Sequence, residues 1–133
     1  MDIQHNKDIA RAFYTRFTAG DIAGVLDTLA DDATFWIAGQ PGSHPTVGTR
    51  SKEEIARIFR AMLAQLKDGL RMTVKSAIAE GDRVALEVES CGELLNGRVY
   101  KQQYHALMTI RGKHIAAVRE YMDTQHVAEI WYR

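Results

Sequence analysis

The sequence predicts one α+β domain, in which three helices precede a run of antiparallel strands. Three observations predict it. Apolar residues recur near every 3.6 positions in the first half and near every 2 in the second. A capping box and glycine stops punctuate the first half, while hairpin signals punctuate the second. The 133 residues suit one domain and bury roughly two-thirds of the unfolded surface without a staple.

The elements follow in order. Ile9, Ala12, Phe13, Arg16 and Phe17 form one stripe on a helix from about Asp2 to Ala19. Gly20 stops it, and Asp21 caps a short second helix carrying Ile22, Val25, Leu26 and Leu29. Ala33 to Ile37 reads as a strand. Residues 39–49, with Gly39, Gly42, Gly48, Pro41 and Pro45, form the one long loop, a common place for a lid. Ser51 with Glu54 is a capping box that starts a third helix, with Ile55, Ile58, Phe59, Met62, Leu63 and Leu66 on one side. Met72, Val74, Ser76 and Ile78 then alternate with polar residues, as do Val84, Leu86 and Val88. Asn96-Gly97 turns the chain into the row Tyr104, Ala106, Met108, Ile110. A last strand runs from Ile115 to Met122, and Thr124 to Trp131 adds a short helical tail. Helices followed by a meander of strands imply helices on one sheet face.

Composition narrows the function classes. Seventeen basic side chains balance seventeen acidic ones, so no basic field draws nucleic acid or an anionic membrane. A near-zero charge permits self-association. Cys91 is the only cysteine, which excludes an internal disulfide and a cysteine metal cluster. Met1-Asp2-Ile3-Gln4-His5 has no signal-peptide character, and no apolar run is long enough to span a bilayer. A cytoplasmic protein is the expectation. His5, His44, His105, His114 and His126 show no metal-ligand spacing. No phosphate-cradling glycine loop or nucleophile elbow occurs. No metal and no cofactor are expected.

Three stretches carry a family resemblance: Phe17-Thr18-Ala19-Gly20-Asp21 with Leu29 to Phe35, Asn96 to Tyr100 before Tyr104, and Gly112-Lys113 with Val118 to Thr124. Together they resemble SnoaL-like proteins of the nuclear transport factor 2 (NTF2-like) superfamily, over nearly the whole chain. The resemblance implies a cone in which a curved antiparallel sheet wraps around three N-terminal helices, with a pocket between them. The superfamily holds isomerases, polyketide cyclases, hydrolases and non-catalytic modules, so the resemblance implies the fold more sharply than the reaction. On this alignment the base and tyrosine positions of ketosteroid isomerase fall on Ile37 and Phe13, and its acid position falls near Ala106. That machinery is not retained. The two aspartates of limonene epoxide hydrolase fall on Glu89 and Glu120, but its arginine falls on Glu87, and its water-holding pair on Phe35 and Ile37.

The acidic positions are therefore the candidates for chemistry. Glu87 and Glu89 lie two apart on a strand and share a face, and the resemblance places Glu120 near them. Facing a pocket, three crowded carboxylates would hold raised pKa values and divide into acid and base. The competing arrangement follows from Val84, Leu86 and Val88, whose burial would send Glu87 and Glu89 into water. Asp123 joins the set if it turns inward at the strand end, and otherwise caps the tail helix. Phe13, Phe17, Phe35, Ile37, Phe59, Met62, Ala106 and Met108 form the expected apolar lining, with Tyr104 and His44 as polar contributors. Two functions fit. One is a cofactor-free acid/base enzyme (isomerase, cyclase, hydratase or hydrolase type) acting on a small apolar or aromatic compound. The other is a non-catalytic ligand-binding or dimerisation module. A homodimer is the expectation by analogy with relatives.

Overall fold

The computed structural model describes residues 2–133. Asp2 caps helix α1 (Ile3–Thr18) by accepting from the His5 N–H at 3.0 Å. Asp21 caps α2 (Ile22–Asp27) through the Gly24 N–H. Strand β1 (Leu29–Ile37) leads through a loop to β2 (Gly48–Ser51) and α3 (Lys52–Ala64), whose start carries the Ser51/Glu54 capping box. Strands β3 (Arg71–Glu80), β4 (Arg83–Glu93), β5 (Val99–Arg111) and β6 (His114–Met122) follow, then α4 (Thr124–Trp131).

The six strands form one curved, unclosed sheet in the order β2-β1-β6-β5-β4-β3. The expected antiparallel sheet is mixed, because β1 pairs with β6 in parallel, Phe35 opposite Val118 and Ile37 opposite Glu120. The reason is topological. The hairpin with β5 fixes the direction of β6, and β6 then meets a β1 laid down before the α3 crossover. Strand β2 takes Gly48 and Thr49 from the predicted loop and pairs with Trp36 and Ile37. Arg50 pins the rest of that loop by donating to the carbonyls of Pro45, Thr46 and Val47.

The alternation expected along β3 holds for Met72 and Val74 and then breaks. The pairing register slips between Val74 and Ser76, turning Ala77 and Ala79 inward and leaving Ile78 71% exposed. Such a bulge reverses which side chains face in. Strand β3 is an edge, and α1 packs on it. The Thr18 hydroxyl accepts from the Met72 N–H at 2.8 Å and donates to the Met72 carbonyl at 3.2 Å.

The core lies between the helices and the inner sheet face. Val84, Leu86 and Val88 of β4 and Tyr104, Ala106, Met108 and Ile110 of β5 are all buried there. At its centre the Phe59 ring meets Phe17 at 4.9 Å, Phe35 at 5.7 Å and Phe13 at 6.0 Å, each edge to face. That geometry places positive ring edges on negative ring faces. Among the described residues, no helix is long and apolar enough to cross a membrane.

Candidate functional site

A hollow remains where the sheet curls away from the helices. Its walls come from α1 (Phe13, Phe17), β1 (Phe35, Ile37), α3 (Ile58, Phe59, Met62), β3 (Met72), β5 (Tyr100, Tyr104), β6 (Glu120, Met122), α4 (Val127, Trp131), and from His44, Thr46 and Tyr132. The cavity measures about 60 Å³, room for roughly four to six waters at ~10–15 Å³ each. Only a small ligand enters without movement of the lining.

Glu120 is the acid in this apolar space. Val118, Glu120 and Met122 share the inner face of β6. The pairing of Ile37 with Glu120 and the bond from the Ala38 N–H to the Glu120 carbonyl, 3.0 Å, lock its backbone. The side chain is only 9% exposed. Among the described residues, no lysine or arginine pairs with it. Burial without a cation pushes its pKa up to about 8, because a charge is disfavoured where water is excluded.

Phenols surround this carboxyl. The Tyr100 and Tyr104 hydroxyls lie 2.9 Å apart in a hydrogen bond. Burial raises the Tyr100 pKa to about 12. Burial, then the charges of Tyr100 and Glu120, push Tyr104 well up. Burial and then the Glu120 charge do the same for Tyr14, whose hydroxyl is buried with no partner. These hydroxyls keep their protons near neutral pH and serve as donors, while Glu120 is the group able to exchange one.

The structure sorts the sequence candidates. Phe13, Phe17, Phe35, Ile37, Phe59, Met62, Tyr104 and His44 line the hollow. Ala106 and Met108 do not. Both are fully buried in solid core further along β5, beyond the Tyr100–Tyr104 end where the hollow lies. The inward placement expected for Glu87 and Glu89 is also corrected. Val84, Leu86 and Val88 take the inner face of β4, so strand alternation sends both glutamates outward. Glu87 accepts from the Ser76 hydroxyl at 2.7 Å, and Glu89 sits 3.6 Å from Lys75. Of the three grouped carboxylates, only Glu120 faces the hollow.

Asp123 does not turn inward either. Its exposed carboxylate accepts from the Gln125 N–H at 3.1 Å and the His126 N–H at 3.2 Å, capping α4. Asp123→Ala is expected to cost about 1 kcal/mol, and Asp123→Ser to recover most of it. Urea denaturation of both variants checks this, and an unchanged midpoint for the alanine variant would remove the capping role.

The lining expected from the sequence leaves out several residues that border the hollow. Tyr100 continues the inward row of Tyr104 and Ala106 two positions at a time, and Met122 continues that of Val118 and Glu120. Those signals were present. Thr46 and Tyr132 had none, because each arrives through loop and tail geometry.

The SnoaL-like domain profile matches residues 10–118. Among solved structures, an NTF2-like protein from Burkholderia xenovorans LB400 superposes with a TM-score of 0.75 at 24% identity, over 98% of each chain. TerC, co-crystallised with polyporic acid, superposes with a TM-score of 0.81 at 22% identity, over 95% of this chain and 97% of its own. IdmH from Streptomyces antibioticus, proposed to be a polyketide cyclase, gives 0.76 at 21% identity, over 93% and 96%. At such identities the likeness establishes the NTF2-like fold. No curated protein matches the chain.

Proposed function

Because the chain belongs to the SnoaL-like domain family, we propose that it is a small-molecule pocket protein performing acid/base chemistry on a small apolar or aromatic compound, with Glu120 as the proton-transferring group. The observation that carries this reading is a buried carboxyl on the wall of an apolar hollow, with no lysine or arginine paired to it among the described residues. A group with a pKa of about 8 is roughly one-tenth ionised at neutral pH. That leaves it basic enough to take a proton from carbon and acidic enough to return it. The Tyr100–Tyr104 pair, in which one hydroxyl donates to the other, supplies one free hydroxyl proton toward an oxygen that gains charge as the proton leaves. Phenylalanine and methionine walls hold the apolar body and keep water away. Support for a small-molecule ligand also comes from the two relatives, one crystallised with polyporic acid and one proposed as a polyketide cyclase.

The test is proton exchange at the carbon beside the carbonyl of small aryl ketones, followed by NMR in heavy water. The parent protein is expected to accelerate exchange, with a rate that climbs with pH and levels off above about 8 as Glu120 ionises. Glu120→Gln is expected to lose at least about 100-fold. Equal rates in parent and variant would overturn the role of Glu120. Binding of the ketones without exchange in either would favour a ligand carrier.

A further inference from the structure

We propose that His44 is a second hydrogen-bonding anchor in the lining of the hollow, and that the ligand is therefore an aromatic compound bearing two polar oxygens. The inference rests on the reading that Glu120 meets one of the two oxygens. His44 lines both the hollow and the surface crevice between the 39–49 loop and the chain's tail, so it stands in the partition between them. It is 6% exposed. Its Nδ1 lies 3.0 Å from the Thr46 hydroxyl, while its Nε2 is buried with no partner. Buried polar atoms nearly always have partners, and the exceptions call for a reason.

The surroundings of His44 suit an anchor. Burial lowers its pKa, an interaction with the Ala38 backbone opposes this, and the Arg50 charge lowers it further. The ring is therefore neutral at neutral pH, and the Thr46 contact decides whether Nε2 donates or accepts. Arg50 grips three carbonyls of the same loop, which fixes the segment that carries the ring. Against the imidazole lies Tyr132, parallel to it with centroids 6.3 Å apart and 47% exposed. Tyr132 lines the hollow as well, so the parallel pair borders the ligand space together. An unpartnered carboxyl, an unpartnered imidazole nitrogen and aromatic walls complement an apolar molecule that carries two polar groups.

Two matched pairs of probes test this: phenol against hydroquinone, and 4-phenylphenol against 4,4′-dihydroxybiphenyl, titrated calorimetrically. In at least one pair, the diol is expected to bind the parent about tenfold more tightly than the mono-ol. His44→Phe keeps a ring beside Tyr132 and is expected to abolish that preference, read as the ratio of diol to mono-ol affinity. His44→Gln, which keeps a hydrogen-bonding amide, is expected to retain part of it. Equal affinities within both pairs for the parent, a preference that survives in His44→Phe, or no binding of any probe would overturn the inference. Mono-ol binding to Glu120→Gln is a separate readout. Its loss supports the Glu120 anchor, and its persistence removes the Glu120 reading while the diol preference still judges His44.

Discussion

Raising the pH from about 5 to about 9 is expected to destabilise the parent protein far more than Glu120→Gln. The Glu120 carboxyl titrates at about 8 in the folded chain, against an ordinary value of 4.5. Below 4.5 it is neutral whether folded or unfolded. Between the two values the folded state keeps a proton that the unfolded state has released, so stability falls as pH rises. Above about 8 both states are charged, and the folded one bears the whole penalty of a buried carboxylate. The gap corresponds to roughly 5 kcal/mol, a large share of the ~5–15 kcal/mol that holds a typical domain together. Glutamine has nearly the same shape and no charge to bury. The difference between parent and variant in urea midpoints, followed across pH, isolates this one group. Parallel curves would show that Glu120 is not desolvated, and the proposed chemistry would lose its basis.

Phe59→Ala is expected to cost about 3–5 kcal/mol. Phe59 is 6% exposed, and its ring touches three other phenylalanine rings contributed by α1 and β1. Truncation removes the buried ring and the edge-to-face contacts together. The walls cannot collapse freely, because α1 and β1 are held in place by capping, strand pairing and further packing. The vacated space also adjoins the existing hollow, which Phe59 lines. Phe59→Leu refills most of the volume and is expected to cost less than about 1.5 kcal/mol. Urea unfolding of both variants checks the contrast, and a loss below about 1 kcal/mol for the alanine variant would mean that the cluster is loosely packed.

Much of this fold was legible because local chemistry and global architecture agree. Asp21, the Ser51/Glu54 box and the turn at Asn96-Gly97 mark their elements without help from the rest of the chain. The rows Val84-Leu86-Val88 and Tyr104-Ala106-Met108-Ile110 face inward as their period demands. What stayed hidden depends on distant partners. The parallel seam between β1 and β6, the four-residue β2 and the slip after Val74 leave no periodic trace. The site divides in the same way. Its phenylalanine lining follows from helical and strand spacing. The choice among Glu87, Glu89 and Glu120 turns on which strand face is inner, and the valines and leucine beside Glu87 and Glu89 already pointed outward for them. Glu120 sits between Val118 and Met122 on its own face, and that flanking is the signal that separates it from the other two.

The Thr18 hydroxyl clasped to Met72 has a consequence beyond helix packing. A ten-residue border strand with free amides and carbonyls is a template on which another copy's extended segment docks, the first step toward fibrils. Here Thr18 occupies the free groups of Met72, the slip after Val74 bends the ladder, and the exposed charges of Arg71 and Lys75 repel a second strand of the same kind. The irregularity that strands Ile78 in water therefore also denies that border the long, flat run on which self-templated aggregation depends.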